Sequence, residues 1–347
     1  MMKVLALQRE SHVAFSVPSL SVSARITDVL SYMESKGLLE FVVISETDPI
    51  AEAGVGWADA LILSKHNSIQ ALKLTQLARR LGVRVIYDID DWIFSFPKYS
   101  GGVSQNKKQE IILEIIGLSD VITVANKSLQ LKTREMIPHS ILMPNGMWVE
   151  KYFPNQSAEG LESVRPRIVF TNADLLKMNA AKGMFLTALQ VFFQRHPEFI
   201  LDFYGDPFPE MLSLPFLHFT NRTPYAQYMR SLVSGRYQFA ITPLGTDEDC
   251  EAAEFNSCKN PFKYLNYGAA KVPGLYSRSP IYNCIENGKT GLLIENHFDA
   301  WIDGLEHMAA DVDLRNSIRK SAFDDVMQHH HVRDSAKALM AVLEGIA

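Results

Sequence analysis

The chain has 347 residues, of which 47% are hydrophobic and 21% are charged, and a formal net charge of −5. This length and composition predict a globular protein with two domains, and the negative charge disfavours a general nucleic-acid-binding protein. No apolar run reaches the roughly 20 residues that span a bilayer, and the short apolar run at Met1–Leu7 is typical of a first strand rather than of a signal peptide. Three cysteines without Cys-x-x-Cys spacing predict reduced thiols in a cytoplasmic protein.

Short apolar runs alternate with amphipathic stretches along the first half of the chain. The amphipathic stretches 21–36 and 69–81 are followed by Gly37 and Gly82, and glycine commonly ends a helix. The apolar runs predict β-strands. These predicted strands are Val4–Leu7, Phe41–Ile44, Ala60–Leu63, Arg84–Tyr87, Val121–Val124 and Ser140–Met143.

A second series of the same kind follows the polar, proline-containing stretch 154–166. Its predicted helices cover residues 179–195, a segment opened by Pro224, a segment after Asn260 and three segments from about Phe298 onward. The predicted strands are Arg167–Phe170, Ile200–Tyr204, Phe239–Thr242, Val272–Tyr276 and Gly291–Ile294.

Two series of alternating strands and helices predict an α/β fold with two doubly wound, Rossmann-like domains, whose parallel sheets face one another across a cleft. The expected domains are residues 1–150 and 151–347, with the last helix as a candidate to return to the first domain. In such sheets ligands bind beyond the carboxyl ends of the strands. The candidate site residues are therefore those that follow each strand.

The predicted helix start after residue 260 is the most informative segment. Asn260 is suited to cap the helix and Pro261 to begin it, which places Lys263 in the first turn. Lys259 and Lys263 are four residues apart and would share one helical face. Two lysines at a helix N-terminus predict a diphosphate site; the alternative is two solvated lysines on a surface helix.

Three carboxylates follow a predicted strand of the first domain, at Asp88, Asp90 and Asp91. Residues two apart on a strand share a face, so Asp88 and Asp90 would point together. Like charges that lie close raise the pKa of one group, which can produce a general base or a polarising group. The alternative is that these loop carboxylates cap a helix or bind Arg84.

Other polar residues have weaker signals. Arg25 lies early in a predicted helix, where an anion would be stabilised, or it forms a buried ion pair with Asp28 or Glu34. His66 follows a strand and reads as a loop histidine. The run 329–331 of three histidines predicts a solvated segment rather than a metal site, because adjacent helical residues point in different directions.

Defining motifs of several enzyme classes are absent from the sequence. There is no Gly-x-Gly-x-x-Gly after the first strand, no full Walker-type Gly-x-x-x-x-Gly-Lys-Ser/Thr, no Gly-x-Ser-x-Gly and no His-Glu-x-x-His. Dehydrogenases, P-loop NTPases, serine hydrolases and zinc proteases therefore lack support.

Several segments together carry a family resemblance. They are Lys-Tyr-Leu-Asn-Tyr-Gly-Ala-Ala-Lys-Val-Pro-Gly at 263–274, Ser279-Pro280, Asn287-Gly288-Lys289-Thr290-Gly291-Leu292-Leu293, Pro144-Asn145-Gly146 and Val85-Ile86-Tyr87-Asp88-Ile89-Asp90-Asp91. The chain resembles GT-B glycosyltransferases, in particular the bacterial retaining enzymes of surface-polysaccharide biosynthesis (group 1, family 4-like). The matches fall in both halves and in the family's order, which makes the combination more specific than any one motif.

The resemblance implies a hexosyltransferase that moves a sugar from a nucleotide-sugar to a glycan, lipid-linked or protein acceptor in surface glycoconjugate assembly. The second domain would hold the donor and the first the acceptor, near Arg25 and Asp88. Asp90, Asp91 and Lys263 would be catalytic. The resemblance also implies that no metal is required, and that the enzyme works in the cytoplasm or at the inner face of the membrane.

The sequence departs from the family pattern at the donor site. Retaining members often carry two glutamates eight residues apart, and the corresponding positions here are Cys258 and Asn266. Asn266 would still bind the ribose, while Glu254 or Asn256 would contact the sugar. These departures leave two alternatives open, a non-catalytic sugar-binding subunit and a GT-B nucleotide-sugar epimerase.

A second departure concerns the donor diphosphate. Lys182-Gly183 resembles the family's Lys-Gly pair, and Lys182 would grip the diphosphate. The arginine that usually accompanies this lysine is missing, since Thr171-Asn172 follows the strand, and Asn172 would contact the donor in its place. The alternative for Lys182 is an ordinary lysine at the start of a surface helix.

Overall fold

The computed structural model describes residues 1–9, 21–94, 106–154, 165–172, 181–221, 223–234, 236–244 and 250–345. The strands are β1 Met2–Gln8, β2 Leu39–Ser45, β3 Ala60–Ser64, β4 Arg84–Ile89, β5 Val121–Val124, β6 Ile141–Leu142, β7 Arg167–Asn172, β8 Ile200–Gly205, β9 Leu217–Thr220, β10 Phe239–Thr242, β11 Gly274–Ser277 and β12 Leu292–Ile294. The helices are α1 Asp28–Ser35, α2 Ala51–Trp57, α3 Ile69–Leu81, α4 Asn106–Leu118, α5 Lys127–Thr133, α6 Val149–Tyr152, α7 Lys182–Arg195, α8 Tyr225–Ser234, α9 Cys250–Ser257, α10 Phe262–Ala269, α11 Phe298–Ala310, α12 Val312–His329 and α13 Val332–Glu344.

Within these residues the strands form two parallel six-stranded sheets. The first has the order β2-β1-β3-β4-β5-β6 and the second β12-β11-β10-β7-β8-β9. The strand order reverses beside β1 in the first sheet and beside β7 in the second, so both are doubly wound, and a crevice opens at the carboxyl ends beside each reversal. The predicted pair of Rossmann-like sheets is confirmed.

Helices cover both faces of each sheet because the strands are apolar along most of their length. Every residue of β3 and of β10 is buried. The first sheet has separate cores on its two faces, one under α2, α3 and α4 and one under α1, and the second sheet has the same arrangement. Each fully buried Leu or Phe contributes about 1.5–3 kcal/mol to such a core.

The chain crosses twice between the sheets. It passes first through residues 143–149 and returns at His331, which forms a parallel bridge with Met147. Beyond this return, α13 packs on α1, and its Val332, Leu339 and Val342 are buried in the core of the first sheet. The closing helix of the described chain is therefore part of the layer that covers the first sheet.

Some elements differ from the sequence predictions. The helix expected over 21–36 is divided into wider π-helical turns at Ser21–Thr27 and the regular helix α1. Strand β9 and helix α9 were not predicted, since Leu217–Thr220 is an edge strand with mostly exposed side chains and α9 lacks a strong apolar stripe. Residues 155–164 of the predicted linker and residues 179–180 of the predicted helix lie outside the described residues. None of the described helices has the length and apolar character needed to cross a membrane.

Candidate functional site

Helix α10 begins at the interface of the two sheets. Its N-cap is Pro261, which makes no side-chain capping hydrogen bond. The prediction that Asn260 caps this helix is wrong, because its amide Nδ2 donates instead to the backbone oxygen of Asp90 and, at 3.2 Å, to its Oδ2. The Oδ1 atom of Asn260 accepts from Nδ2 of Asn145. The start of α10 is therefore attached to the carboxyl edge of the first sheet.

The two lysines of the predicted diphosphate site lie on either side of this start. Lys263 is in the first turn of α10, and its ammonium group lies 5.9 Å from the ring centre of Phe170 in β7. Lys259 precedes the helix and donates to Oδ1 of Asn256 at 2.7 Å. The expectation of one shared helical face is wrong, because α9 ends at Ser257 and α10 begins only at Phe262. Both lysines nevertheless lie at the start of α10, where the first N–H groups of a helix have no intrahelical partner.

The remaining donor-side candidates lie in α10, in α9 and at the end of β7. Asn266 is buried in α10, and its Oδ1 accepts from the hydroxyl of Tyr225 at 2.8 Å. Asn172 is the last residue of β7, at the carboxyl edge of the second sheet. Glu254 is largely exposed and pairs with Lys132 of the first domain at 3.3 Å. Asn256, in contrast, is buried.

Cys258 belongs to the interface rather than to the donor site. Its side chain is fully buried in the apolar core of the first sheet, together with Phe255 and Trp92. Burial raises the pKa of its thiol above the ordinary value. The backbone oxygens of Cys258 and Lys259 accept from Nδ2 of Asn126. An apolar contact thus explains a cysteine at a position where a carboxylate was expected.

Lys182 begins α7, at the carboxyl edge of the second sheet, and its ammonium group pairs with Glu210. Both side chains are partly exposed, so this ion pair contributes little to stability. The ammonium group also lies 5.0 Å from the ring centre of Phe208. The structure thus places Lys182 at the expected edge of the sheet with a carboxylate partner.

Asp88 and Arg25 form an ion pair whose side chains are completely buried. Nε of Arg25 donates to Oδ2 of Asp88 at 2.8 Å, and Thr123 donates to Oδ1 at 2.6 Å. The prediction that Arg25 pairs with Asp28 or Glu34 is wrong, since Arg25 pairs with Asp88. Asp28 makes its hydrogen bonds with other residues. Since donors surround the carboxylate of Asp88 and acceptors surround the guanidinium of Arg25, the acceptor-side roles predicted for these two residues have no geometric support.

Asp90 lies beyond the end of β4 and has a different partner. Its Oδ1 is 2.5 Å from Nζ of Lys65, a residue that the sequence analysis missed. Burial alone would lower the pKa of Lys65, but the charges of Asp90 and Asp91 raise it above its ordinary value, so the ammonium group stays charged. The predicted pairing of Asp88 with Asp90 is wrong, because each carboxylate has its own cation. Asp91 accepts from the backbone N–H of Trp92 at 3.1 Å.

His66 also lies at this edge, in the loop between β3 and α3 as predicted, and it is fully buried. Its Nδ1 accepts from the backbone N–H of Ser64 at 3.1 Å, and its backbone oxygen accepts from the hydroxyl of Tyr87. Burial, assisted by the charge of Arg9, lowers the pKa of His66 to about 3. The imidazole is therefore neutral at physiological pH.

The three consecutive histidines have two carboxylate partners between them, and His330 lies 3.6 Å from Asp325. His329 contacts Asp325 at 3.0 Å, whereas His331 contacts Glu150 at 3.1 Å. Over the described ranges, no three His, Cys, Asp or Glu side chains come together in the arrangement of a metal site.

No protein-family model matches the chain, and no curated protein has a similar sequence. Solved structures are similar in fold. Sucrose-phosphate synthase from Thermosynechococcus elongatus matches with a TM-score of 0.68 and 11% identity over 100% of this chain and 99% of its own. HepE from Anabaena, solved with UDP and glucose, matches with a TM-score of 0.66 and 11% identity over 99% and 100%.

A protein from Listeria monocytogenes assigned as a UDP-N-acetylglucosamine 2-epimerase matches with a TM-score of 0.59 and 11% identity over 99% of this chain and 96% of its own. At these identities the comparisons establish the fold. The chain has the two-domain GT-B fold, as the sequence resemblance implied.

Proposed function

We propose that the protein is a glycosyltransferase that takes a sugar from a nucleotide-sugar. The observation that carries this proposal is the contact of Asn260 with Asp90, which brings the start of α10, flanked by Lys259 and Lys263, to the carboxylates at the edge of the first sheet. A diphosphate at the helix start would then lie across the cleft from a hydroxyl near Asp90. The proposed domains are residues 1–150, which would bind the acceptor, and residues 151–347, which would bind the donor. Helix α13 packs on the first of them.

Positive charge at the start of α10 is the main donor-binding feature of the proposal. Lys263 and Lys259 would neutralise the diphosphate together with the helix N–H groups. Asn256 orients Lys259 through the bond between its Oδ1 and the ammonium group. Lys182 would assist after leaving Glu210. HepE, a protein of the same fold, was solved with UDP and glucose, which supports a sugar nucleotide as the ligand.

The other donor contacts in the proposal come from the second domain. Asn266 would hold the ribose by a neutral hydrogen bond, weaker than the charge-assisted bond of a glutamate. Glu254, Asn256 and Asn172 are the candidates to contact the sugar. Cys258 is left out of this set because its side chain packs into the other domain.

The proposed reaction transfers the sugar from the diphosphate to the acceptor hydroxyl. The acceptor oxygen forms a bond to the anomeric carbon, the bond from this carbon to the diphosphate breaks, and the hydroxyl proton leaves with the diphosphate. Asp90, with Asp91 beside it, would orient the acceptor hydroxyl, and Lys263 would stabilise the developing charge of the leaving group. We propose transfer of a hexose with retention and without a required metal ion, in which lysines supply the positive charge.

The proposed acceptor is a glycan, a lipid-linked saccharide or a protein bound on the first domain. A lipid-linked acceptor would bring the enzyme to the cytoplasmic surface of a membrane. Closure of the domains would exclude water from the donor and limit its hydrolysis.

A thermal-shift screen against UDP-, GDP-, TDP- and CMP-sugars tests donor binding. A ligand at about 100 times its Kd stabilises the native state by about 2.7 kcal/mol, so one nucleotide class should raise Tm by several degrees. The bound sugar nucleotide is then incubated with the protein and analysed by mass spectrometry. Absence of any shift would overturn the proposal.

The products separate the proposal from its two rivals. A transferase releases the nucleoside diphosphate, slowly to water and faster with an acceptor. An epimerase returns a sugar nucleotide of unchanged mass and altered stereochemistry. A non-catalytic sugar-binding subunit binds the ligand without converting it.

A further inference from the structure

Two asparagine side chains join the domains in series at the proposed site. Nη1 of Arg25 donates to Oδ1 of Asn145 at 3.0 Å, and Nδ2 of Asn145 donates to Oδ1 of Asn260 at 2.5 Å. Nδ2 of Asn260 then donates to Asp90. We call Asn145 and Asn260 the asparagine bridge. It begins at a buried cation of the first domain and ends at a carboxylate of the same domain, after passing through the second.

The two ends of the asparagine bridge determine the orientation of both amides. A guanidinium group can only donate hydrogen bonds, and a carboxylate can only accept them. Each amide must therefore turn its oxygen toward Arg25 and its nitrogen toward Asp90, although the two ends of an amide are otherwise hard to distinguish. Arg25 is itself held by Asp88, so the starting point of the series is rigid.

Asp90 is consequently held from two sides. Lys65 lies at its Oδ1 atom, and Asn260 donates to its Oδ2 atom. The Lys65 contact belongs entirely to the first domain, whereas the Asn260 contact exists only when the start of α10 lies against that domain. Asn260 lies one residue before the N-cap of α10, Pro261, and the capping position itself makes no side-chain hydrogen bond. The side chain of Asn260 serves the contact between the domains rather than the helix.

We infer that Asn260 is a positioning residue that orients Asp90 for the acceptor when the donor-binding helix start is closed onto the first domain. The inference rests on the proposed function, in which Lys259 and Lys263 beside Asn260 hold the donor diphosphate. Donor binding and acceptor orientation are then coupled through one short segment. Opening the cleft removes one of the two contacts described for Asp90 and lowers the rate of transfer.

Asn260→Asp tests this inference with nearly unchanged shape. The variant places a carboxylate opposite Asp90, so the two repel until they share a proton. The charged groups nearby are Lys65, Asp91 and Arg9 in the first domain, the Arg25–Asp88 pair beyond Asn145, and Lys259 in the adjoining segment, while His66 stays neutral. Release of UDP from a UDP-sugar at saturation should fall at least about 10-fold at about pH 8 and recover toward about pH 6, when the shared proton restores a donor. The Kd for UDP should change less than about 3-fold.

Asn126→Asp is the matched control. Asn126 also donates across the interface, to the backbone oxygens of Cys258 and Lys259, but it does not contact Asp90 in the hydrogen bonds described. A general weakening of the interface would give both variants the same pH profile. The inference predicts recovery at lower pH for Asn260→Asp alone. Equal profiles, or wild-type turnover in Asn260→Asp, would overturn it.

Carboxyl NMR gives a readout that does not depend on activity. In Asn260→Asp protein, one carboxyl of the coupled pair should titrate well above the ordinary value of about 4. This raised titration should disappear when Asp90→Asn is added. Ordinary titration of both carboxyls would contradict the asparagine bridge. Failure of the wild-type protein to bind any sugar nucleotide would instead contradict the proposed function, so the two failures can be told apart.

Discussion

The two sheets differ in how their polar side chains are satisfied at the carboxyl edge. The first sheet uses buried charges in pairs, Arg25 with Asp88 and Lys65 with Asp90. The buried groups of the second are neutral, as in the bonds of the Tyr228 and Tyr267 hydroxyls with Thr171, and its Lys182–Glu210 ion pair is partly exposed. Burial raises the pKa of Tyr267 to about 12, so this network remains uncharged at physiological pH.

This difference separates charges that hold the fold from charges that serve a ligand. In the first sheet, the cation and carboxylate of the Arg25–Asp88 pair neutralise each other. In the second, a neutral network surrounds a helix start flanked by lysines, where an anion would be favoured. Substitutions of the two kinds of charge should therefore differ in whether they change stability or ligand affinity.

Asp88→Leu should destabilise the protein by about 3–5 kcal/mol, because it leaves a buried guanidinium without its carboxylate. The free energy of unfolding is measured by urea denaturation. Glu295→Leu is the control, since Glu295 pairs with Arg278 and both side chains are about half exposed, and it should cost at most about 1 kcal/mol. Equal losses would mean that burial of the first pair has no special weight.

Lys263→Met should weaken UDP binding by about 10- to 100-fold, or about 1.4–2.8 kcal/mol, because it removes a charge opposite the diphosphate. Calorimetry measures the Kd, and the unfolding free energy should remain within about 0.5 kcal/mol of wild type. Lys320→Met is the control, because Lys320 is exposed on α12 and pairs with Asp324. Unchanged UDP affinity in Lys263→Met would remove this lysine from the donor site.

His66 should make the protein less stable in mild acid. Its folded pKa of about 3 lies below the unfolded value, so the unfolded state binds the proton first as pH falls below about 6.5. The loss is about 1.4 kcal/mol per pH unit, or about 2 kcal/mol at about pH 5. Urea denaturation measures the free energy of unfolding of the wild-type and His66→Asn proteins at about pH 6.5 and about pH 5. The His66→Asn protein should lack this part of the loss of stability, and an equal loss in both proteins would contradict the assignment.

Tyr225→Phe should cost about 1 kcal/mol in stability, because it removes one neutral hydrogen bond to Asn266. The ring keeps its edge contact with Tyr152 at 5.3 Å, so packing is preserved. Thermal denaturation measures the change. A loss as large as that of Asp88→Leu would mean that the two edges do not differ as described.

Hydrophobic patterning predicted most of the architecture. Runs such as Ala60–Leu63 and Phe239–Thr242 are fully apolar or nearly so, and both are buried strands. Gly82 ends α3 with a φ of 73°, as predicted from glycine's tolerance of that conformation. The edge strand β9 escaped prediction because its alternation of buried and exposed residues is weak.

The site was predicted in part. The family resemblance singled out Pro144-Asn145-Gly146, and the structure explains why the third residue is a glycine. A Cβ at Gly146 would lie 2.7 Å from Cα of Val332. The partners of Arg25 and Asn260 were not predictable from local spacing. Arg25 and Asp88 are 63 residues apart, and Asn260 and Asp90 are 170 apart. Such pairs depend on how the sheets are ordered and docked, which local sequence patterns do not encode.

The position of α13 has a consequence for synthesis on the ribosome. The apolar face of the first sheet that α13 helps to cover is translated long before α13 itself, with the whole second sheet in between. A nascent chain that has reached β12 therefore exposes part of the first domain's core while the second domain is forming. That surface stays uncovered until residues 332–344 emerge and dock against α1, and transiently exposed apolar surface of this kind favours aggregation.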